Sequence, residues 1–156
     1  MNCVRATFLL AACGLIGAVT MTAQAPPPAA APAAAPAAAK TWTDADLDKL
    51  MKEIGSTVGV LRKSIDGQNA EMAKEQADKV EALFEDVDDF WSSRNVKDAA
   101  DMADDAAEHA DHVEDAIDAK DFATAAEHMK LLQSTCAGCH GKYRDKGPDG
   151  AYRIKP

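Results

Sequence analysis

Residues 121–144 read DFATAAEHMKLLQSTCAGCHGKYR. Phe122, Ala126, Met129, Leu132, Cys136, Cys139 and Tyr143 follow one another in steps of three and four, so they share one face of a helix. Asp121, just before the run, has the right chemistry for an N-cap. Within it lies Cys136-Ala137-Gly138-Cys139-His140, a C-x-x-C-H sequence, the attachment pattern of a c-type haem. Two thiols three residues apart lie on one helix face and can add to the two vinyl groups of one porphyrin. His140 then offers a ring nitrogen to the iron.

Other readings of the two cysteines fit less well. A redox C-x-x-C sits at the start of a helix after a strand, whereas this one comes near the end of a helical segment. A zinc site needs a second pair of ligands, but Cys3 and Cys13 both fall in a leader that export removes.

Working back toward the N-terminus, three more stretches carry the same periodicity. A third helix, about 96–119, has the stripe Ala99, Ala103, Ala106, Ala110, Val113 and Ile117. Its small residues call for a close neighbour. Its acidic residues, from Asp98 to Asp118, oppose one another at helical spacing, so it depends on packing. His109 and His112 stand among those carboxylates and read first as part of a solvated face, with a metal or protein docking site as the alternative. His128 reads as a flanking surface residue.

A second helix, about 69–93, carries Ala73, Ala77, Val80, Phe84, Val87 and Trp91, widened by Leu83 and Phe90. A first helix is capped by Thr43 with Asp46 as its capping-box partner. It carries Leu47, Met51, Ile54, Val58, Leu61 and Ile65, and Gly67 suits a left-handed C-cap. Four helices on short turns predict an all-α, antiparallel up-down-up-down four-helix bundle with one covalently attached haem in a modest, Ala-rich core. No β pattern competes. Gly147-Pro148-Asp149-Gly150 reads as a turn, and 146–156 as a surface tail.

Residues 1–25 read as a signal peptide, with Arg5 as the basic region and Ala23-Gln24-Ala25 as the cleavage site. Leu10-Ala11-Ala12-Cys13 also resembles a lipobox, which would make Cys13 a lipid anchor. The apolar run continues past Cys13, which favours a soluble periplasmic product. Retained, the leader is near the lower length limit for a membrane span. Residues 26–41, almost all Ala and Pro, form a semi-stiff linker, and 42–145 the haem-binding bundle. The chain has 17 basic and 26 acidic residues, net −9. Loss of Arg5 leaves 16 against 26, or −10. This excludes nucleic acid and anionic membrane as natural partners and favours a redox partner with a basic docking surface.

Antiparallel order places the iron's second face. His140 lies about 6 Å in from its helix end and Met51 about 10 Å from its own helix start, at 1.5 Å per residue. They stand at similar heights on adjacent helices. Met102 is the rival at that level, whereas Met72 is at the far end. A methionine on an inner seam is ordinarily filler. Trp42, Phe84, Phe90 and Trp91 read as core or haem-packing aromatics, with Phe90 and Trp91 at the haem's height.

A four-helix bundle with C-x-x-C-H-x-x-Tyr-Arg near its C-terminus resembles the cytochrome c prime family, the class II c-type cytochromes. The match is Cys136, Cys139, His140, Tyr143 and Arg144. Lys49-Leu50-Met51-Lys52, Gly55, Val60-Leu61 and Gly67 are similar to the low-spin branch. The resemblance covers about 43–146. It implies that Met51 is the sixth iron ligand, that Arg144 sits beside His140, and that a homodimer is compatible. The link between the second and third helices is shorter than is usual in the family. The expected function is electron transfer, since Met/His ligation closes the iron and raises its potential. If Met51 only fills space, the alternative is a five-coordinate iron that binds NO or CO. Nothing points to a substrate pocket or general base, so an enzyme is not expected.

Overall fold

A computed structural model describes residues 40–155. The stretches read as a signal peptide, with Cys13, and as a linker fall within residues 1–39 almost entirely and so lie outside the described residues. Four helices pack against one another: α1 (Asp44–Asp66), α2 (Ala70–Ser93), α3 (Lys97–Asp118) and α4 (Phe122–Tyr143). A small hairpin follows, β1 (Arg144–Lys146) and β2 (Tyr152–Ile154).

The three helix–helix links are built alike. Each has three residues, and the middle one is left-handed: Gln68 (φ 53°), Asn95 (φ 59°) and Lys120 (φ 60°). The third residue of each link donates its N–H back to the last turn: Asn69 to the Ser64 carbonyl at 2.9 Å, Val96 to Trp91 at 3.1 Å, and Asp121 to Ala116 at 2.8 Å. The middle residue donates to Ile65, Ser92 and Ile117 respectively. This double closure is a Schellman motif. The same third residue then caps the next helix, so each chain reversal is complete in three residues. Gly67, expected to take the left-handed position, is right-handed (φ −85°). Gln68 takes it instead, because it is the N–H of Asn69 that reaches Ser64.

Side chains complete three of the four helix starts. Thr43 and Asp46 form a reciprocal capping box, Asn69 accepts from the Met72 N–H at 3.2 Å, and Asp121 accepts from Thr124 at 3.0 Å. Helix α3 starts at Val96 with no side-chain cap. As its charge pattern predicts, it is held by packing. It buries seven alanines with Val113 and Ile117, and α2 and α3 form the most extensive seam of the bundle. Ion pairs cross the seams as well: Lys79–Glu53 at 2.8 Å, Lys74–Asp118 at 2.7 Å, and Lys142–Asp98. Exposed pairs of this kind are screened by water and salt and add little to stability.

Among neighbouring helices, α1 and α4 touch least. On α1 the facing surface includes Gly55, where a Cβ would meet nothing within 4 Å. On α4 the apolar stripe is interrupted by Gln133 and Thr135 and continues with thiols. Residues 144–155 are more ordered than the expected tail. β1 and β2 pair antiparallel, Arg144 opposite Ile154, around a turn where Gly150 is left-handed (φ 80°). A Cβ on Gly147 would come within 2.7 Å of an Asp149 carboxylate oxygen. The Lys155 N–H returns to the Tyr143 carbonyl at 2.8 Å, which clips the hairpin to the end of α4. Among the described residues no helix is long and apolar enough to cross a membrane.

Candidate functional site

The open α1–α4 seam leads into two adjoining cavities. The inner one, about 220 Å³, draws its wall from all four helices: Met51, Ile54, Gly55 and Val58 on α1; Phe84 and Val87 on α2; Met102, Ala103 and Ala106 on α3; and Gln133, Thr135, Cys136, Cys139 and His140 on α4. The outer one, about 510 Å³, lies between the start of α1 and the hairpin. It is lined by Leu47, Met51, Trp91, Cys139, His140 and Tyr143, with Asp44, Asp48, Lys52, Arg144 and Arg153 among its charged groups. Met51, Cys139 and His140 belong to both. Together the two fall within the roughly 300–1,000 Å³ usual for cofactor pockets.

The two thiols, one helical turn apart, are half-buried and unpaired. Burial pushes both above the ordinary thiol range. The neighbouring Cys139 adds to the effect on Cys136, and Asp98 to that on Cys139. Neither is near the start of α4 at Phe122, where a helix dipole would lower it. This environment is the opposite of a reactive redox dithiol, whose thiolate must be stabilised. No second ligand pair approaches for zinc among the described residues: neither cysteine belongs to any cluster of potential metal-ligating groups there.

Burial lowers the proton affinity of His140, and the Arg144 guanidinium lowers it further. Its imidazole is therefore held neutral, the form that ligates a metal. Arg144 is one residue past the end of α4 and stacks on the exposed Tyr152 ring, 4.0 Å from its centroid. Tyr143 packs on Trp91 with ring centroids 5.1 Å apart. The wall of the inner cavity is almost wholly apolar, and Gly55 adds no side chain to it.

Of the residues singled out in the sequence, Met51, Met102, Cys136, Cys139 and His140 line one cavity, and Trp91, Tyr143 and Arg144 line its outer neighbour. Phe90 lines neither. It is fully buried, edge-on between Trp42 (6.5 Å) and Trp91 (5.0 Å), with the Arg94 guanidinium over its face. Phe84, one face round on the same helix, occupies the wall position instead. The stripe of α2 is wide enough to hold both aromatics, and only the helix's rotation decides which faces the cavity.

The hairpin contributes residues that the sequence pattern passed over, Tyr152, Arg153 and Ile154. Alternation over three residues is too short a signal to read. The hairpin also reverses the charge at this end of the molecule. Residues 142–155 carry five cations against two carboxylates, whereas Glu85, Asp86, Asp88, Asp89 and Asp104 crowd a shallow cleft between α2 and α3. Comparison with family models, with curated proteins and with solved structures gave no match.

Proposed function

We propose that the chain is a c-type haem protein: one haem c, joined through Cys136 and Cys139, with His140 as the proximal iron ligand. More particularly, we read it as an electron carrier of the low-spin kind that the cytochrome c prime resemblance implies, acting outside the cytoplasm. The observation that carries this reading is the sharing of Met51, Cys139 and His140 between the two adjoining cavities in the one open seam. Met102 reaches only the inner cavity, so Met51 is the better placed to face His140.

Each thiol S–H would add across one vinyl double bond, sulfur to one carbon and hydrogen to the other, with no oxidant required. Bound haem would supply the single-electron couple. The bundle's part is to exclude water with the apolar walls, to hold His140 neutral, and to place Met51 so that no coordination position stays open. Met51 and His140 are the residues that would hold the iron, thioether ligation would raise its potential, and Arg144 beside His140 would raise it further by disfavouring added positive charge.

The docking expectation changes with the hairpin. Net charge alone favours a basic partner, but the outer cavity carries Lys52, Arg144 and Arg153 against Asp44 and Asp48, and the hairpin beside it is cationic. A partner with acidic groups at its docking face fits this end better, with an association rate that falls as salt rises.

A visible spectrum of the purified chain in both oxidation states is the test. The reduced protein shows a sharp α band and resists CO. Met51→Ala opens the iron, broadens the band and admits CO. An unchanged spectrum in Met51→Ala, with a change in Met102→Ala, transfers the ligand role to Met102. A wild-type spectrum that is already high-spin and binds CO selects the gas-binding alternative. Protein without colour and with two free thiols overturns both.

A further inference from the structure

The wall of the outer cavity includes Asp44, Asp48 and Lys52 on α1, and Arg144 and Arg153 at the hairpin. Four of these five charges are answered within the protein. Arg94 engages Asp44 at 2.5 Å, Lys52 engages Asp48 at 2.5 Å, and Arg153 engages Asp149 at 2.7 Å. Arg144 has no carboxylate partner among the described residues.

Water ordinarily satisfies an exposed guanidinium, but this one is fixed in place. The Arg144 backbone N–H donates to the His140 carbonyl, and its strand position pairs with Ile154. In that register Arg144 and Tyr152 lie diagonally across one face of the hairpin, with the guanidinium over the Tyr152 ring, 4.0 Å from its centroid. A cation–π contact holds the charge without spending its N–H donors. Lys155 fastens the hairpin to the end of α4 twice. Its backbone N–H donates to the Tyr143 carbonyl at 2.8 Å and its ammonium to the Gly141 carbonyl at 2.7 Å. An arginine fork is thus presented at the edge of the cavity, and such a fork matches a carboxylate in shape and charge.

On the haem reading, on which this inference rests, one group lies across both cavities, since both are lined by Met51, Cys139 and His140. Haem c carries two propionate carboxylates at its edge. Besides the thiols and His140, the inner cavity has only Gln133 and Thr135 as polar lining. A carboxylate buried there would have no cation to pair with and is strongly disfavoured. The cations stand in the outer cavity, whose two acids are already engaged by Arg94 and Lys52.

We propose that Arg144 is a carboxylate-binding residue of this site: its guanidinium pairs with a propionate of the haem, and Tyr152 is the positioning residue that holds it there. The C-terminal hairpin is then one wall of the cofactor site.

The test is made on the purified full chain. Haem content is measured first, by the pyridine haemochrome assay. Resonance Raman spectra of the reduced protein then follow the propionate bending band, whose frequency reports hydrogen bonding to the carboxylates. Arg144→Gln shifts the band to lower frequency, and the spin-state marker bands in the same spectrum separate this from a change of axial ligand. Tyr152→Leu, which keeps the charge, gives a smaller shift in the same direction. Arg62→Gln, an equal loss of charge near the far end of α1, gives none. Circular dichroism establishes that the variants are folded. A band unmoved in folded Arg144→Gln, or in Tyr152→Leu, overturns the proposal and leaves the haem reading standing. So does an equal shift in Arg62→Gln, which would make the shift an effect of net charge. Colourless wild-type protein with two free thiols overturns the haem reading, and this proposal with it.

Discussion

The α2–α3 seam and the α1–α4 seam of this bundle are built from opposite choices. On α3 alanine fills seven of the nine buried positions. On α2 opposite, Ala73 and Ala77 are joined by the bulky Leu83, Phe84, Phe90 and Trp91, so the seam is closed by small residues on one helix and large ones on the other. Between α1 and α4 the inward positions are Met51, Gly55, Val58, Cys136 and Cys139. There are too few atoms here to fill the gap, and Leu131 on α4 stays 48% exposed. The lesson is that small residues close a seam where the facing helix brings large ones to meet them. Where they alternate with methionine and thiols, they leave a slot.

The largest test of this contrast is to deny the slot its occupant. The double variant Cys136→Ser/Cys139→Ser should lose covalent colour, and with it a cooperative thermal transition followed by circular dichroism. A haem-free protein that melts as sharply as the wild type would show that the α1–α4 seam needs no filling. Next come two substitutions that add side chain to each seam. Ala110→Leu, in the closed seam, should cost about 1–3 kcal/mol by urea denaturation, through overpacking. A Cβ on Gly55 meets nothing within 4 Å, so Gly55→Leu should grow into the slot, leaving folding intact while lowering haem content. Removing bulk from the closed side gives a comparable scale: Phe90→Ala should cost about 3–5 kcal/mol without altering the visible spectrum, since Phe90 lines neither cavity.

Smaller effects lie in the links. Asn69→Ala and Asp121→Ala should each cost about 1 kcal/mol as lost helix caps. Lys120→Gly should add about 0.5–1 kcal/mol, since glycine accepts the left-handed backbone that lysine holds under strain. The smallest is a pH effect at His128, whose ring centroid lies 4.7 Å from that of His112 and 5.7 Å from that of His109. Burial first, and then those two rings, lower its folded proton affinity from the ordinary 6.5. Its contribution to stability is therefore complete above that value and is lost as pH falls through the folded one. His128→Asn should flatten the slope of stability against pH just below 6.5, measured by chemical denaturation.

Much of the fold was legible. The steps of three and four bounded all four helices to within a residue or two, because each inward position is apolar and each link is too short to hide a further element. The thiol pair and His140 were legible too, since their spacing within one helix fixes their common face. Three things were not. The left-handed residue beside Gly67 escaped because glycine's freedom is permissive and does not oblige it to use that freedom. The choice of Phe84 over Phe90 depends on a rotation of α2 that a wide stripe leaves undetermined. His128 read as surface because its neighbours in sequence are Glu127 and Met129, while its neighbours in space are on another helix.

By itself, then, the sequence determined the local and periodic features: helix extents, caps, the C-x-x-C-H spacing and the overall negative charge. Each of these is set within a few turns of chain. Only the tertiary structure decided which seam opens, which methionine reaches both cavities, that three histidines meet, and that the hairpin gathers cations at the cavity's edge. Those depend on how helices distant in sequence rotate and approach, and no spacing along a single segment encodes that.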